Sequence, residues 1–182
     1  DDFKNIQEIA KNWSVVQSYL NLDGKIKFFK THHINCTIDK NAFLDLNNTI
    51  GVIHIVRDPR NVVTSIKNHY AFKDINTSKE KLFNENNWIG FEKSYKAVKS
   101  NQVPTLISSW KNHYLSWKNK SNNYLLIKYE DLIQNPHYEF NKIAKYISKI
   151  IGINFTNEKI EKSIETNKFS ELKKLEKKGL FL

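Results

Sequence analysis

The chain has 182 residues, an apolar fraction of 40% and a net charge of +10, which suits one domain with a hydrophobic core and excludes a disordered chain. It has no apolar run near the roughly 20 residues that cross a bilayer. The single cysteine, Cys36, leaves no intrachain disulfide and no second thiol for a zinc site. We therefore expect one cytoplasmic domain over 1–182, without a signal peptide and with no membrane or metal as partner.

The positive charge comes almost entirely from lysine. Of the 29 basic residues only two are arginines, Arg57 and Arg60, and they lie within four residues of each other. The lysines either form a solvated surface or add up to a field that attracts an anionic ligand. Arginine offers a planar fork that matches phosphate or carboxylate, which lysine does not.

The spacing of apolar residues predicts helices and strands in alternation. In chain order we predict a helix over 4–20, strands over 25–30 and 51–57 with a short helix over 41–46 between them, a helix from 59 to 70, a helix marked by Leu106, Trp110, Tyr114 and Trp117, a strand over 124–129, and helices around 140–147, 156–165 and 168–178. We predict no helix or strand in the polar segment 73–88. This alternation predicts an α/β fold with a parallel sheet flanked by helices.

The stretch from Val56 to Ser65 places an arginine at the end of a buried strand and just before a helix. Asp58 and Pro59 are typical of a helix cap and first turn, and ligands of open α/β sheets bind beyond the carboxyl ends of the strands. Free N–H groups at that helix start, with Arg57 before them and Ser65 about two turns along, would form an anion site. The alternative is structural: Arg57 pairs with a carboxylate, and Asp58 and Ser65 are ordinary helix residues.

Lys30, Thr31, His32 and His33 end the first predicted strand. The period of an extended strand places Lys30 and His32 on one face and His33 on the other. A cation beside a histidine suits a reaction in which negative charge leaves and a hydroxyl loses its proton. Two histidines that make surface hydrogen bonds are the alternative.

The strand over 124–129 runs into a turn and a helix, with Tyr129 at its carboxyl end. There the ring would contact a base or a sugar. The alternative is a half-buried aromatic residue, with Glu130 and Asp131 as turn and cap residues.

These motifs, in this order, resemble the sulfotransferases that use 3′-phosphoadenosine 5′-phosphosulfate (PAPS). The matching segments are Lys30–His32, Val56–Ser65, the helix with Trp110, His113 and Trp117, the run Tyr129–Leu132, and Phe169–Glu176. The resemblance extends over residues 26–176 and implies a P-loop-kinase-like α/β fold.

The resemblance also implies which residues bind the cofactor. Arg57 and Ser65 match residues that bind the 3′-phosphate of the nucleotide, and Tyr129 matches a contact on the adenine side. Phe169, in a segment like the family's late helix, is assigned to the cofactor as well. The product form of the cofactor would be 3′,5′-adenosine bisphosphate (PAP).

For the chemistry, His32 matches the general base that deprotonates the acceptor, and Lys30 matches the lysine that stabilises charge around the sulfuryl group. The implied reaction is an in-line transfer, without metal, from PAPS to a hydroxyl or amine of a small-molecule or glycan acceptor. Nucleic acid is not expected as a partner, and a homodimer is compatible with this reading.

Two features of the family have no counterpart in the sequence. None of the five glycines lies in a phosphosulfate-binding loop of the Pro-Lys-Ser-Gly type, and the strand before that loop is missing as well. Lys177-Lys178-Gly179 follows Phe169 too closely to be the family's late Arg-Lys-Gly motif, so it is assigned to the end of a helix. We therefore expect the middle of a sulfotransferase domain, either a fragment or the observed part of a longer chain, which catalyses poorly by itself.

Two other functions stay open at this point. A P-loop phosphotransferase would need a complete phosphate-binding loop and a magnesium-binding carboxylate, neither of which the sequence contains. A non-enzymatic basic module would bind polyanions with a steep salt dependence and would not prefer a 3′-phosphorylated adenine nucleotide.

Overall fold

Helices outnumber strands in the computed structural model, which describes residues 5–90 and 103–179. The helices of the described residues are α1 (Ile6–Lys11), α2 (Trp13–Leu20), α3 (Pro59–His69), α4 (Ile75–Phe83), α5 (Trp110–Trp117), α6 (Tyr129–Gln134), α7 (Pro136–Ile151), α8 (Asn157–Thr166) and α9 (Phe169–Lys177). The strands are β1 (Thr37–Ile38), β2 (Asn41–Ala42), β3 (Val52–Val56), β4 (Trp88–Ile89), β5 (Thr105–Leu106) and β6 (Tyr124–Lys128). Among these helices none combines the length and the apolar character that crossing a membrane requires.

The chain folds as two compact units. The first contains the described residues of Asp1–Val52 and Asp58–Tyr124, and the second those of Ile53–Arg57 and Leu125–Leu182. The second unit therefore holds nearly all of β3 and β6, together with α6 to α9.

The second unit is built on the pair of β3 and β6, which form a small parallel sheet. Both strands are short apolar runs, as the sequence predicts, and Ile127 of β6 is completely buried. α7 packs on α8, whose Ile160 and Ile164 are buried. The predicted α/β arrangement of a parallel sheet with helices is confirmed. In the described residues this parallel sheet consists of two strands, β3 and β6.

The first unit contains an aromatic cluster formed by Trp13, His33, Phe43 and Trp117. The rings of His33 and Phe43 stack with their centroids 4.5 Å apart, and Trp13 meets both of them edge to face at 5.3 and 5.1 Å. Trp117 meets Phe43 edge to face at 6.1 Å. Contacts of this geometry add about 0.5–1.5 kcal/mol per pair to the burial of the rings.

The predicted strand over 25–30 is wrong. Residues 24–36 have no regular secondary structure, and Ile26, Phe28 and Phe29 are 47%, 69% and 68% exposed. A strand exists only where a neighbour pairs with its N–H and C=O groups, and no strand of the described residues pairs with this segment.

The predicted short helix over 41–46 is also wrong, because this part of the chain is a hairpin. β1 and β2 pair antiparallel, with Thr37 opposite Ala42 and Ile38 opposite Asn41. Asp39 and Lys40 connect them with φ values of 46° and 71°. Two consecutive residues with positive φ make the tight turn whose twist matches a hairpin.

Other boundaries differ locally from the prediction. The single helix expected over 4–20 is divided at Asn12, whose side-chain amide donates to the Glu8 carbonyl at 2.9 Å and so competes with the helix backbone. Leu106 lies in β5 and not in the helix that begins at Trp110. The polar segment 73–88 contains α4, capped by Asp74, which accepts from two backbone N–H groups. The helices at 59–70, 156–165 and 168–178 are confirmed as α3, α8 and α9.

Replacing Lys40 by glycine should stabilise the first unit. Relief of the left-handed backbone, worth roughly 1–2 kcal/mol for a residue with a Cβ, exceeds the roughly 0.5–1 kcal/mol that glycine's extra freedom costs on folding. We expect Lys40→Gly to raise the free energy of unfolding by about 0.5 kcal/mol in urea titrations. Lys40→Ala also removes the ammonium group but keeps the Cβ, and should give no gain. An equal gain in both variants would show that charge, and not the turn, is responsible.

Candidate active site

Arg57 and Tyr129 meet just beyond the carboxyl ends of the two parallel strands. Arg57 directly follows β3 and Tyr129 directly follows β6. The Cζ atom of Arg57 lies 4.9 Å from the centroid of the Tyr129 ring, a cation–π contact. Tyr129 is 37% exposed and the Arg57 side chain is exposed as well. An exposed contact of this kind is worth about 0.5–1 kcal/mol, and it sets a cation and an aromatic face side by side.

The start of α3 differs from the expected anion site. Pro59 has no N–H, the Arg60 N–H donates to Oδ1 of Asp58 at 2.8 Å, and the Asn61 N–H donates to the Asp58 carbonyl at 2.9 Å. The first N–H groups of the helix are thus taken up by Asp58. Its negative charge also offsets the positive end of the helix dipole. The expectation of free N–H groups for an anion is wrong.

Asp58 also binds the side chain of Arg60. Nε of Arg60 donates to both carboxylate oxygens of Asp58 at 3.0 and 3.1 Å, and Nη2 donates to Oδ2 at 2.5 Å. These hydrogen bonds, with the Arg60 backbone N–H, lower the pKa of Asp58 to about 2. The fork of Arg60 is therefore committed to a neighbouring carboxylate.

Ser65 and Phe169 lie on helices at exposed positions. The Ser65 hydroxyl points from the second turn of α3 and makes no hydrogen bond to the described residues. Phe169 opens α9 and is 78% exposed, with the Lys173 ammonium 6.0 Å from its ring centroid. The structure brings Arg57 and Tyr129 into contact, while the binding roles of Ser65 and Phe169 stay predictions.

The two residues predicted to carry the chemistry lie in the irregular segment 24–36. Lys30 and His32 are both exposed, and neither side chain hydrogen-bonds to the described residues. His33, the next residue, is 5% exposed. The exposure of residues 32 and 33 thus alternates as an extended chain requires, although the segment is not a strand.

His33 is a packing residue of the aromatic cluster. Its Nδ1 donates to the Ile34 carbonyl at 2.6 Å, and its buried Nε2 has no hydrogen-bond partner among the described residues. Burial lowers the pKa of His33, against the smaller opposing effect of the Ile34 carbonyl. A neutral, enclosed imidazole of this kind does not reach a substrate.

Helix α5 binds the backbone of residues 32–35 through the side chains of His113, Ser116 and Trp117. Nε2 of His113 donates to the His32 carbonyl at 3.3 Å, and Nε1 of Trp117 donates to the His33 carbonyl at 3.0 Å. Oγ of Ser116 accepts from the backbone N–H of Asn35 at 3.1 Å. Trp117 is expected from the sequence as a helix residue and His113 as part of a family motif, but neither is expected to bind the backbone of residues 32–35. Their spacing with Ser116, three and four residues along a helix, is the signal that they share one face.

A separate apolar groove lies between α7 and α8. Its volume is about 480 Å³, and it is lined by residues that include Phe140, Ile143, Ile147, Phe155 and Ile160. None of the predicted site residues lines it. Within residues 5–90 and 103–179, no three His, Cys, Asp or Glu side chains are placed to hold a metal ion together.

The comparison with protein families agrees with these motifs. The family model for the sulfotransferase domain matches residues 10–180. The chain belongs to this family. Among solved structures, the chain is similar to mouse sulfotransferase SULT7A1 complexed with PAP, at 22% identity and a TM-score of 0.49. That match covers 68% of this chain and 40% of the mouse chain, so the matched region is less than half the length of the mouse protein. The curated proteins contain no match.

Two histidines whose pKa is lowered in the folded protein should make the fold sensitive to acid. Burial lowers the pKa of His33 and of His113 below the ordinary value of 6.5, so the unfolded chain binds protons more readily than the folded one. Their contribution is complete above about pH 6.5 and is lost as the pH falls through the folded-state pKa values. In urea titrations between pH 7.5 and pH 5, stability should fall with pH.

The variant His33→Phe keeps a ring on Phe43 and removes one of these titrations, so its stability should depend less on pH. A His33→Phe slope equal to that of the wild type would contradict the assignment.

Proposed function

We propose that the protein is a PAPS-dependent sulfotransferase that transfers a sulfuryl group to a hydroxyl or amine of a small-molecule or glycan acceptor. The observation that carries the proposal is the contact between Arg57 and Tyr129 at the carboxyl ends of β3 and β6. The motifs shared with sulfotransferases assign both residues to the cofactor, and residues 10–180 match the sulfotransferase domain. A cation next to an aromatic face suits a ligand that joins a phosphate to a purine.

Arg57 would hold the 3′-phosphate with its guanidinium fork, since two parallel N–H groups match two phosphate oxygens. Ser65 would donate its hydroxyl to the same phosphate, and the Tyr129 ring would contact the adenine side. Arg60 does not compete for this role, because Asp58 engages its fork. When bound, PAPS supplies the activated sulfuryl group.

His32 would take the proton from the acceptor hydroxyl, because its imidazole is exposed while that of His33 is enclosed. Lys30, two residues earlier and also exposed, would offset the negative charge that develops during the transfer. General-base catalysis of this type contributes about 10² to 10⁴ in rate. The remaining acceleration would come from holding the acceptor and the cofactor in line.

Arg57 should contribute more to nucleotide affinity than any lysine. A charge-assisted hydrogen bond contributes roughly 1.5–3 kcal/mol, so Arg57→Ala in the full-length protein should weaken PAP binding about 10- to 150-fold in calorimetric titrations. Arg57→Lys should recover part of this loss, since the charge returns without the fork.

Arg60→Ala is the matched control, because it removes the only other arginine, three residues away and bound to Asp58. It should change PAP affinity only slightly. Unchanged affinity in both Arg57 variants would remove the 3′-phosphate assignment, and equal losses at Arg57 and Arg60 would point to general electrostatics.

His32→Ala should separate catalysis from binding. We expect turnover in the full-length protein to fall about 10²- to 10⁴-fold, with PAP affinity changed by no more than a few-fold.

The neighbouring variant His33→Phe should retain most of the turnover, since its ring belongs to the aromatic cluster. An active His32→Ala variant together with an inactive His33→Phe variant would show that the general base is not His32 and would point to His33. If both stay active, the base is neither of them.

A further inference from the structure

The backbone that carries His32 needs a support other than a sheet. Residues 24–36 form no strand, and the Lys30 and His32 side chains have no hydrogen bonds to the described residues. A general base works only when its reacting atom is held within hydrogen-bond reach of the proton that it takes. Some other element must therefore fix the position of residue 32.

The support is α5, which is itself well anchored. Its N-cap, Ser109, is buried and accepts from the Asn112 N–H at 3.3 Å, while Trp117 near its other end is 7% exposed within the aromatic cluster. The hydrogen bonds of Ser116 and Trp117 attach the chain at residues 35 and 33. Among the described residues, the one hydrogen bond recorded to the backbone of residue 32 comes from His113.

We propose that His113 is a positioning residue for the general base: its Nε2–H holds the main-chain carbonyl of His32 and so fixes where the His32 imidazole lies. This inference rests on the proposed function. His113 does not touch the reacting atoms and acts through His32. Without it the segment stays docked at residues 33 and 35, but the backbone of residue 32 gains freedom.

The charge state of His113 suits this role. A carbonyl only accepts, so Nε2 must carry the proton. Burial, followed by the nearby charges of His32 and His33, lowers the pKa of His113, against the opposing effect of the His32 carbonyl. The two groups whose charge acts on it are thus the base itself and the enclosed His33. A neutral His113 does not repel the imidazolium that His32 becomes when it accepts a proton.

The test uses the full-length protein with His113→Leu, which removes the donor, and His113→Gln, whose amide nitrogen can replace Nε2. A neutral hydrogen bond is worth enough to change a rate by about tenfold when it is lost. We expect kcat to fall about tenfold in His113→Leu, with KM for the acceptor and Kd for PAP within about twofold of wild type. His113→Gln should restore most of kcat.

Combination with His32→Ala separates positioning from a general structural effect. In that background the base is absent, so His113→Leu should cause no further loss of the residual rate. The same fold-loss in both backgrounds, or equal losses in kcat and in PAP affinity, would overturn the proposal. Asn112→Leu is the matched control on the same helix, because its amide binds Glu85 and not residue 32, and it should leave kcat unchanged.

A spectroscopic measurement tests the positioning without relying on activity. The His32 imidazole resonances in NMR spectra should shift in His113→Leu and stay in place in Asn112→Leu. If the wild-type protein transferred no sulfuryl group, the proposed function would fail, and these spectra would still decide whether His113 positions His32. Unshifted His32 resonances in His113→Leu would overturn the inference alone.

Discussion

The parallel pairing of β3 and β6 is the constraint on which the second unit depends. Parallel strands end on the same edge of a sheet, so the residues that follow two paired strands become neighbours, although Tyr129 lies 72 positions after Arg57 in the sequence. In the same unit Ile127 of β6 is completely buried, and α7 packs against α8. The contact of guanidinium and ring is a direct product of strand direction.

The first unit depends on a different constraint, because no strand of the described residues pairs with the segment that contains Lys30 and His32. There, the side chains of one short helix bind three successive parts of the backbone, and aromatic rings fill the space beneath. His33 takes part in both sets of contacts, since its ring stacks in the aromatic cluster while its carbonyl accepts from Trp117 of α5. Of these two adjacent histidines, His33 is therefore buried and His32 is exposed.

The sequence predicts well those elements whose signals are local. The apolar run of β3 followed by Asp58 and Pro59 defines both a strand and a capped helix, and α8 and α9 follow from helical spacing. The sequence-based prediction fails where strand pairing with another segment, or a turn without glycine, determines the secondary structure. Residues 25–30 have the composition of a strand but pair with no strand of the described residues. The turn at Asp39 and Lys40 has positive φ values without containing a glycine.

The same distinction applies to the site. Strand order places Arg57 near Tyr129, and family motifs assign roles to His32 and Lys30. The commitment of Arg60 to Asp58 and the hydrogen bond from His113 depend on side-chain geometry, which residue spacing does not specify. Spacing along α5 does indicate a shared face, but not which backbone that face binds.

The scarcity of arginine has a consequence for chemical probing. Amine-selective reagents would scatter over a surface rich in lysine, whereas a dicarbonyl that reacts with guanidinium groups has two targets, Arg57 and Arg60, on one short stretch of a 182-residue chain. One of the two is forked onto a carboxylate and the other lies over a tyrosine ring. Their modification yields, resolved by mass spectrometry in a single peptide, would therefore report how each guanidinium is engaged, with the lysine background silent.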